Sequence, residues 1–517
     1  MSKKMLAVIL LVISLFTLAA CGESVINKVG DEQLQTLKLA GGTDWGAPSP
    51  YLHDPRGPGT AKMKLVFDSL LDADAQGDIP WLAKEWEIKG NAYTFTLSEQ
   101  ATFHDGQPVT TADVAFTLDY YQKFPPVTNY LDYNGHSIVA SYQIIDEQTI
   151  TLTVEQPLAT TLVKLGSFVI LPQHIWENVA DPYTFNEAAA YIGSGPYTFG
   201  AYDPAVGSYE FIAYDNYYGH QPVAARVLFV PVSEPLLAFD HGEIDLTEVP
   251  IDALQQYQDD PTIGMLGKEN DMGYKMLVNM EKLPEFKELE LRIALYQALD
   301  RQEVVAKVFR GSGAVGSAGY VPPTNYFYSE RVIQYDYQPT RAKKVLAKKN
   351  LNVELLVANS SDDLKIAELL KHDFEAAGMQ IKVVALDAKI RDERILAGEY
   401  ELAVVGNGGW SRTPDYLRTL YSSQAKYTGS NPHFMGARGH DNQIITSLAE
   451  AQLLELDFDK RQEIFADLQY EISKEVPIVV IATKTTQVIF KKDYYSGWVK
   501  TYDYQQVEQN RLSYVEK

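Results

Sequence analysis

The chain has 517 residues, 46% of them hydrophobic and 22% charged, with one cysteine and a formal net charge of −23. That length exceeds one ordinary core and calls for two or three domains, and the composition is that of a globular chain, neither disordered nor membrane-spanning. The acidity excludes nucleic acid as a partner, because phosphates demand a basic surface, and a lone cysteine excludes an intrachain disulfide.

Lys3 and Lys4 precede the apolar run Met5–Leu18, which ends in Leu18-Ala19-Ala20-Cys21-Gly22. A basic start, a short apolar stretch and small residues before a cut site describe a secretory leader over residues 1–20, too short for a membrane-spanning helix. The pattern resembles a bacterial lipoprotein signal. That implies lipid on Cys21, which becomes the new N-terminus, and residence on the outer face of the cytoplasmic membrane. The polar residues 21–33 read as a tether.

Leu34–Ala40 reads as a first strand and Gly41–Thr60 as a Gly- and Pro-rich loop. Met63–Leu71 is short and apolar. Tyr93–Leu97 alternates apolar and polar residues as a half-buried strand does. Phe103–Pro108 is a turn. Thr110 with Asp113 three residues on predicts a helix start, with the helix running to about Lys123 before Pro125-Pro126. Gly311–Gly316 matches the dinucleotide fingerprint, but a capped helix precedes it and Pro322-Pro323 follows. Gly311 therefore reads as a helix stop and the rest as a flexible loop.

Two β-α units come next. Val353–Ala358 is strand-like, and Asp362–Ala377 is helical with Gly378 as its stop. Ile381–Leu386 is a second strand and Lys389–Ala397 a helix with Gly398 after it. Tyr400–Val405 reads as a buried strand that runs into Gly406-Asn407-Gly408-Gly409, where the chain can take positive φ and let other groups approach closely. Trp410 follows, and Pro414 breaks any helix. In open α/β sheets, ligands bind beyond the carboxyl ends of the strands, so this stretch reads as one wall of a ligand cleft. The plainer alternative is a tight turn capped by a core tryptophan. No zinc-protease, nucleophile-elbow or phosphate-loop motif appears. His433 and His440 flank Phe434–Gly439 in a loop after this wall and read first as solvated or turn-stabilising, with contact to a ligand there as the alternative. Arg412 and Arg438 are candidates for pairing with a carboxylate.

Trp81–Leu118 (WLAKEWEIKGNAYTFTLSEQATFHDGQPVTTADVAFTL) resembles the signature region of bacterial extracellular solute-binding proteins of family 5, the peptide/nickel type. Ile192–Tyr197 is similar to that family's glycine-proline-tyrosine element. Leu291–Arg310 is similar to its helix pair, with Asp300 and Glu303 as a capping box, and Trp410–Tyr416 to its cleft tryptophan segment. The resemblance implies an α/β, two-lobed periplasmic-binding-protein-like fold (type II, cluster C) with an extra domain inserted in the first lobe. Lobe 1 would comprise residues 34–66, 192–275 and 491–517, the extra domain residues 67–191, and lobe 2 residues 276–490. Two strands crossing between the lobes would form the hinge.

The implied function is capture of an oligopeptide or dipeptide by a monomeric, cofactor-free receptor that delivers it to an ABC importer and is not an enzyme. The binding residues implied are Asn407, Gly408, Gly409, Trp410, Ser411, Arg412, Thr413 and Asp415. Here the sequence departs from many peptide binders, which place an aspartate three residues after the tryptophan to hold the peptide ammonium. Thr413 stands there and cannot neutralise a buried charge. The alternative within the family is nickel or a metal chelate, with His433 or His440 as ligand; a secreted hydrolase is the alternative from another class.

Overall fold

The computed structural model describes residues 34–55, 57–74, 77–133, 135–222, 224–251, 253–408, 414–425, 436–492, 498–500 and 507–508. The leader, the tether, Cys21, Gly409, Trp410, Ser411, Arg412, Thr413 and His433 lie outside them.

Leu34–Gly41 forms the edge of a four-stranded sheet and pairs in parallel with Ala224–Pro231; Ser208–Ala213 and Tyr197–Asp203 complete it in antiparallel fashion. A second four-stranded antiparallel sheet runs Ala83–Lys89, Ala92–Leu97, Thr149–Val154, Val139–Ile144. Ala92–Leu97 buries every second residue, as its alternation predicts. Helix Thr111–Lys123 is capped as expected: the Thr110 amide and hydroxyl both donate to Asp113 Oδ2, at 2.9 and 3.0 Å. The apolar stretch after Gly57 forms helix Gly57–Val66. Buried residues of both sheets, from Leu37 through Phe95 to Val227, make one continuous core. Residues 67–191 thus carry their own sheet but not a separate interior.

The third sheet has seven strands. Two long ones, Ile263–Val278 and Ile478–Lys491, lie antiparallel at its centre. Leu246–Val249 joins the far end of Ile478–Lys491, next to the first sheet, where the Lys38 amide donates to Asp245 Oδ2 at 2.7 Å. At the other end, Leu402–Gly408, Asn352–Ala358 and Gln380–Leu386 follow in order, parallel to one another. Side chains alternate between two helical layers. Tyr274, Met276, Val353, Leu355 and Val404 face one core, and Leu277, Leu356, Ala403, Val405 and Val480 face the other. The ladder between the long strands breaks between Lys268 and Met272, opposite Thr486 and Lys484, and again at Tyr274/Lys275. Such bulges bend a strand and sharpen its twist.

Two expectations are corrected. Gly406 and Gly408 do not turn; the strand continues through them, with Gly406 opposite Tyr274, Asn407 opposite Gly273 and Gly408 opposite Met272. Pairing with the long strand satisfies the backbone there and overrides the turn preference of glycine. Gly311 is the predicted helix stop, at φ 83°, but Gly313–Val315 is a strand paired with Ile478–Lys491 rather than a loose loop.

Candidate functional site

The chain leaves Asn352–Ala358 through helix Ser361–Ala376 to reach Gln380–Leu386 on one side. It then returns through helix Ala388–Leu396 to place Leu402–Gly408 on the other side. The two helices pack on opposite faces, through Ile366 and Phe374 in one core and Ile395 in the other. Asn352–Ala358 and Leu402–Gly408 are therefore neighbours whose connections diverge, the arrangement that opens a crevice at the carboxyl ends of parallel strands. Gly408 ends beside the first break in the crossing strand.

Several charges near these strand ends are paired within the protein. Ser360 Oγ caps helix Ser361–Ala376 by accepting from the Asp363 amide. Asp362 meets Lys484 Nζ at 2.8 Å. Arg391 reaches Asp363 at 3.3 Å and Asp392 at 2.7 Å, and burial pushes the Asp363 carboxyl up.

Of the residues singled out from sequence, Asn407 and Gly408 lie in the strand at the crevice, and Gly409 through Thr413 lie outside the described residues. Asp415 Oδ1 accepts from the Gln452 side-chain amide at 2.7 Å, and Gln452 Oε1 in turn accepts from Arg461. Next to it Arg418 donates to Glu450 at 2.8 Å, and the Tyr133 hydroxyl and Ser422 hydroxyl donate to the same carboxylate. Lys164 Nζ lies near Asp415 and donates to the Tyr130 and Asp132 carbonyls; burial pushes its pKa down, against the pull of Asp415. The Ala159 amide donates to the Leu453 carbonyl at 2.7 Å. Residues 130–164 thus grip helices Tyr416–Tyr421 and Gln443–Leu454.

His440 is buried with Nε2 3.4 Å from Glu475 Oε2. The His440 imidazole, and after it the Arg292 guanidinium, hold the Glu475 carboxyl below the usual range. Arg438 donates to the Leu396 carbonyl and lies 3.7 Å from Glu281. Among the described residues no group of three His, Cys, Asp or Glu side chains forms a metal-binding set. Lys275, which the sequence reading did not single out, lies beside Val405 and Val480 on the sheet face that carries Leu277. Its signal in the sequence is a lysine inside the apolar run Tyr274–Val278.

The profile of the bacterial extracellular solute-binding proteins, family 5 Middle, matches residues 79–429. The chain is 25% identical over 492 residues to di/tripeptide-binding protein 1 of Pseudomonas aeruginosa, covering 84% of this chain and 86% of that one. It is 23% identical over 519 residues to the nickel-binding periplasmic protein of Escherichia coli, covering 93% and 94%. The oligopeptide-binding protein AppA of Bacillus subtilis, solved with a nonapeptide, superposes with a TM-score of 0.79 at 19% identity, over 94% of this chain and all of that one. The last likeness shows the two-lobed fold. With the profile matching more than half of its length, the chain belongs to the bacterial extracellular solute-binding proteins of family 5.

Proposed function

We propose that this solute-binding protein is a lipid-anchored receptor that captures short peptides between its lobes and delivers them to the membrane subunits of an ABC importer. The observation that carries the reading is the position of Gly408. It ends a parallel strand at the diverging connection, beside the ladder break in a long strand whose Leu266 packs on the first core and whose Met276 lies in another. A glycine edge there offers main-chain donors and acceptors to an extended peptide, and a bend in the crossing strands shuts one lobe on the other. The lobes we assign are residues 34–66, 192–275 and 491–517 against residues 276–490, with residues 67–191 attached to the first. Asn407 through Thr413 form the wall, with Trp410 packing on the solute. The curated relatives support the peptide class, since one of them is named for di- and tripeptides.

Calorimetry with dialanine, trialanine, a pentapeptide and nickel–histidine tests the solute. Binding of at least one peptide, weakened tenfold or more by Trp410→Ala, is expected; binding of the chelate alone overturns the peptide reading. Acyl chains on Cys21 in the mature protein, read by mass spectrometry, test the anchor.

A further inference from the structure

Lys484, Arg391 and Arg418 each lie against a carboxylate near the strand ends. Lys275 does not. It is 4% exposed, and its Nζ donates one hydrogen bond, to Tyr320 Oη at 2.7 Å. An ammonium carries three donors, so two remain with nothing to donate to among the described residues. No carboxylate among the described residues lies within ion-pairing distance of it. Burial alone pushes its pKa down to about 7.

The Tyr320 ring stands 5.2 Å from the ammonium, on a backbone held at φ 77°, a left-handed conformation that a tyrosine adopts only at a cost. Tyr421 meets that ring edge-on at 6.0 Å, and its buried hydroxyl has no hydrogen-bond partner among the described residues. Tyr416, which opens the helix after the Trp410 segment, lies 5.7 Å from Tyr320. Lys275 itself pairs with Val405, one residue before the glycine edge. A buried amine with idle donors beside an idle phenol is a donor set lacking its acceptor, and leaving such groups unmatched is costly.

We propose that Lys275, with the Tyr421 hydroxyl, receives a carboxylate of the solute, so that the solutes this protein captures are acids. The inference rests on the glycine edge being the cleft wall. A carboxylate accepts from an ammonium and a phenol at once, through two oxygens, and its charge offsets the buried cation. The carboxylate is supplied either by a peptide or by a non-peptide organic acid.

Full-length protein is exposed to a tryptic casein digest that is untreated, N-acetylated or methyl-esterified, and separately to a mixture of citrate, glutarate and gluconate. Native mass spectrometry reads what is retained by the wild type and by Lys275→Met. Retention from the untreated and acetylated digests but not the esterified one, with at least tenfold less capture by Lys275→Met, is the expected result. Capture from the acid mixture alone, lost in Lys275→Met, upholds the carboxylate site and removes the peptide reading. Equal retention of esterified and free peptides, undiminished capture by Lys275→Met, or no capture of any acid by the wild type overturns the proposal. The esterified arm needs no variant, so the test stands even if Lys275→Met fails to fold.

Discussion

The Tyr133 hydroxyl donates to the Glu450 carboxylate across 3.2 Å, joining residues 317 positions apart in sequence. The Arg418 guanidinium completes the arrangement, 2.8 Å from Glu450 and 4.9 Å from the centre of the Tyr133 ring. Arg418 and Glu450 are both largely buried, so removing the negative charge takes a charged partner from a buried guanidinium. Glu450→Gln is expected to cost about 3 kcal/mol in urea unfolding. Tyr133→Phe, which keeps the ring under the guanidinium, costs about 1 kcal/mol. Hydrogen exchange at the Ala159 amide, bonded to Leu453, is expected to quicken in both variants; an unchanged rate would show that this junction does not depend on Glu450.

Lys275 makes stability depend on pH in a way that can be isolated by difference. Its folded pKa is about 7, against roughly 10.4 in the unfolded chain. Between those values the unfolded chain binds more protons, so this residue's contribution improves as pH rises and is at its worst below 7. The gain from Lys275→Met is therefore expected to be larger at pH 6 than at pH 9.5, by about 3 kcal/mol. Urea curves of the two proteins at both values measure it, and parallel behaviour would mean that the amine is solvated.

Gly193 sits where two backbones cross. A Cβ there would lie 2.1 Å from the Val66 carbonyl oxygen, while the neighbouring Gly195 amide already donates to that oxygen at 2.8 Å. Backbone cannot step aside as a side chain can. Gly193→Ala is expected to lose about 3 kcal/mol. Gly57→Ala, where a Cβ meets nothing within 4 Å, serves as the control and is expected to change the urea midpoint little.

Asp415 is predicted to serve the scaffold. Asparagine in its place weakens the acceptor for the Gln452 amide and removes the charge near Lys164, which costs about 1 to 2 kcal/mol of stability. Solute affinity is expected to stay within twofold by calorimetry. A tenfold loss of affinity without loss of stability would return Asp415 to the binding wall.

Local signals were enough for the β-α units of the third sheet. Val353–Ala358 and Ile381–Leu386 each lengthen by one residue in the structure, and Gly378 and Gly398 stop their helices at φ 93° and 74°. Caps, β-branched runs and helix stops act over four or five residues, which a sequence displays directly. The glycine strand was harder, because its extension depends on a partner more than 130 positions away. Asp415 shows the same limit at the site: its spacing from Trp410 suggested a ligand contact, but helix Gln443–Leu454 supplies its hydrogen-bond partner. Lys275 was legible only as an interruption in an apolar run, which cannot show that no acid faces it.

The ladder of the two crossing strands resumes on both sides of the break at Lys268/Met272. Rotation about that short stretch leaves the hydrogen-bonded ladders on either side whole. Under the proposed lobe assignment, opening would break both the polar contacts of residues 130–164 with the opposite helices and the packing of Leu453 in the first core.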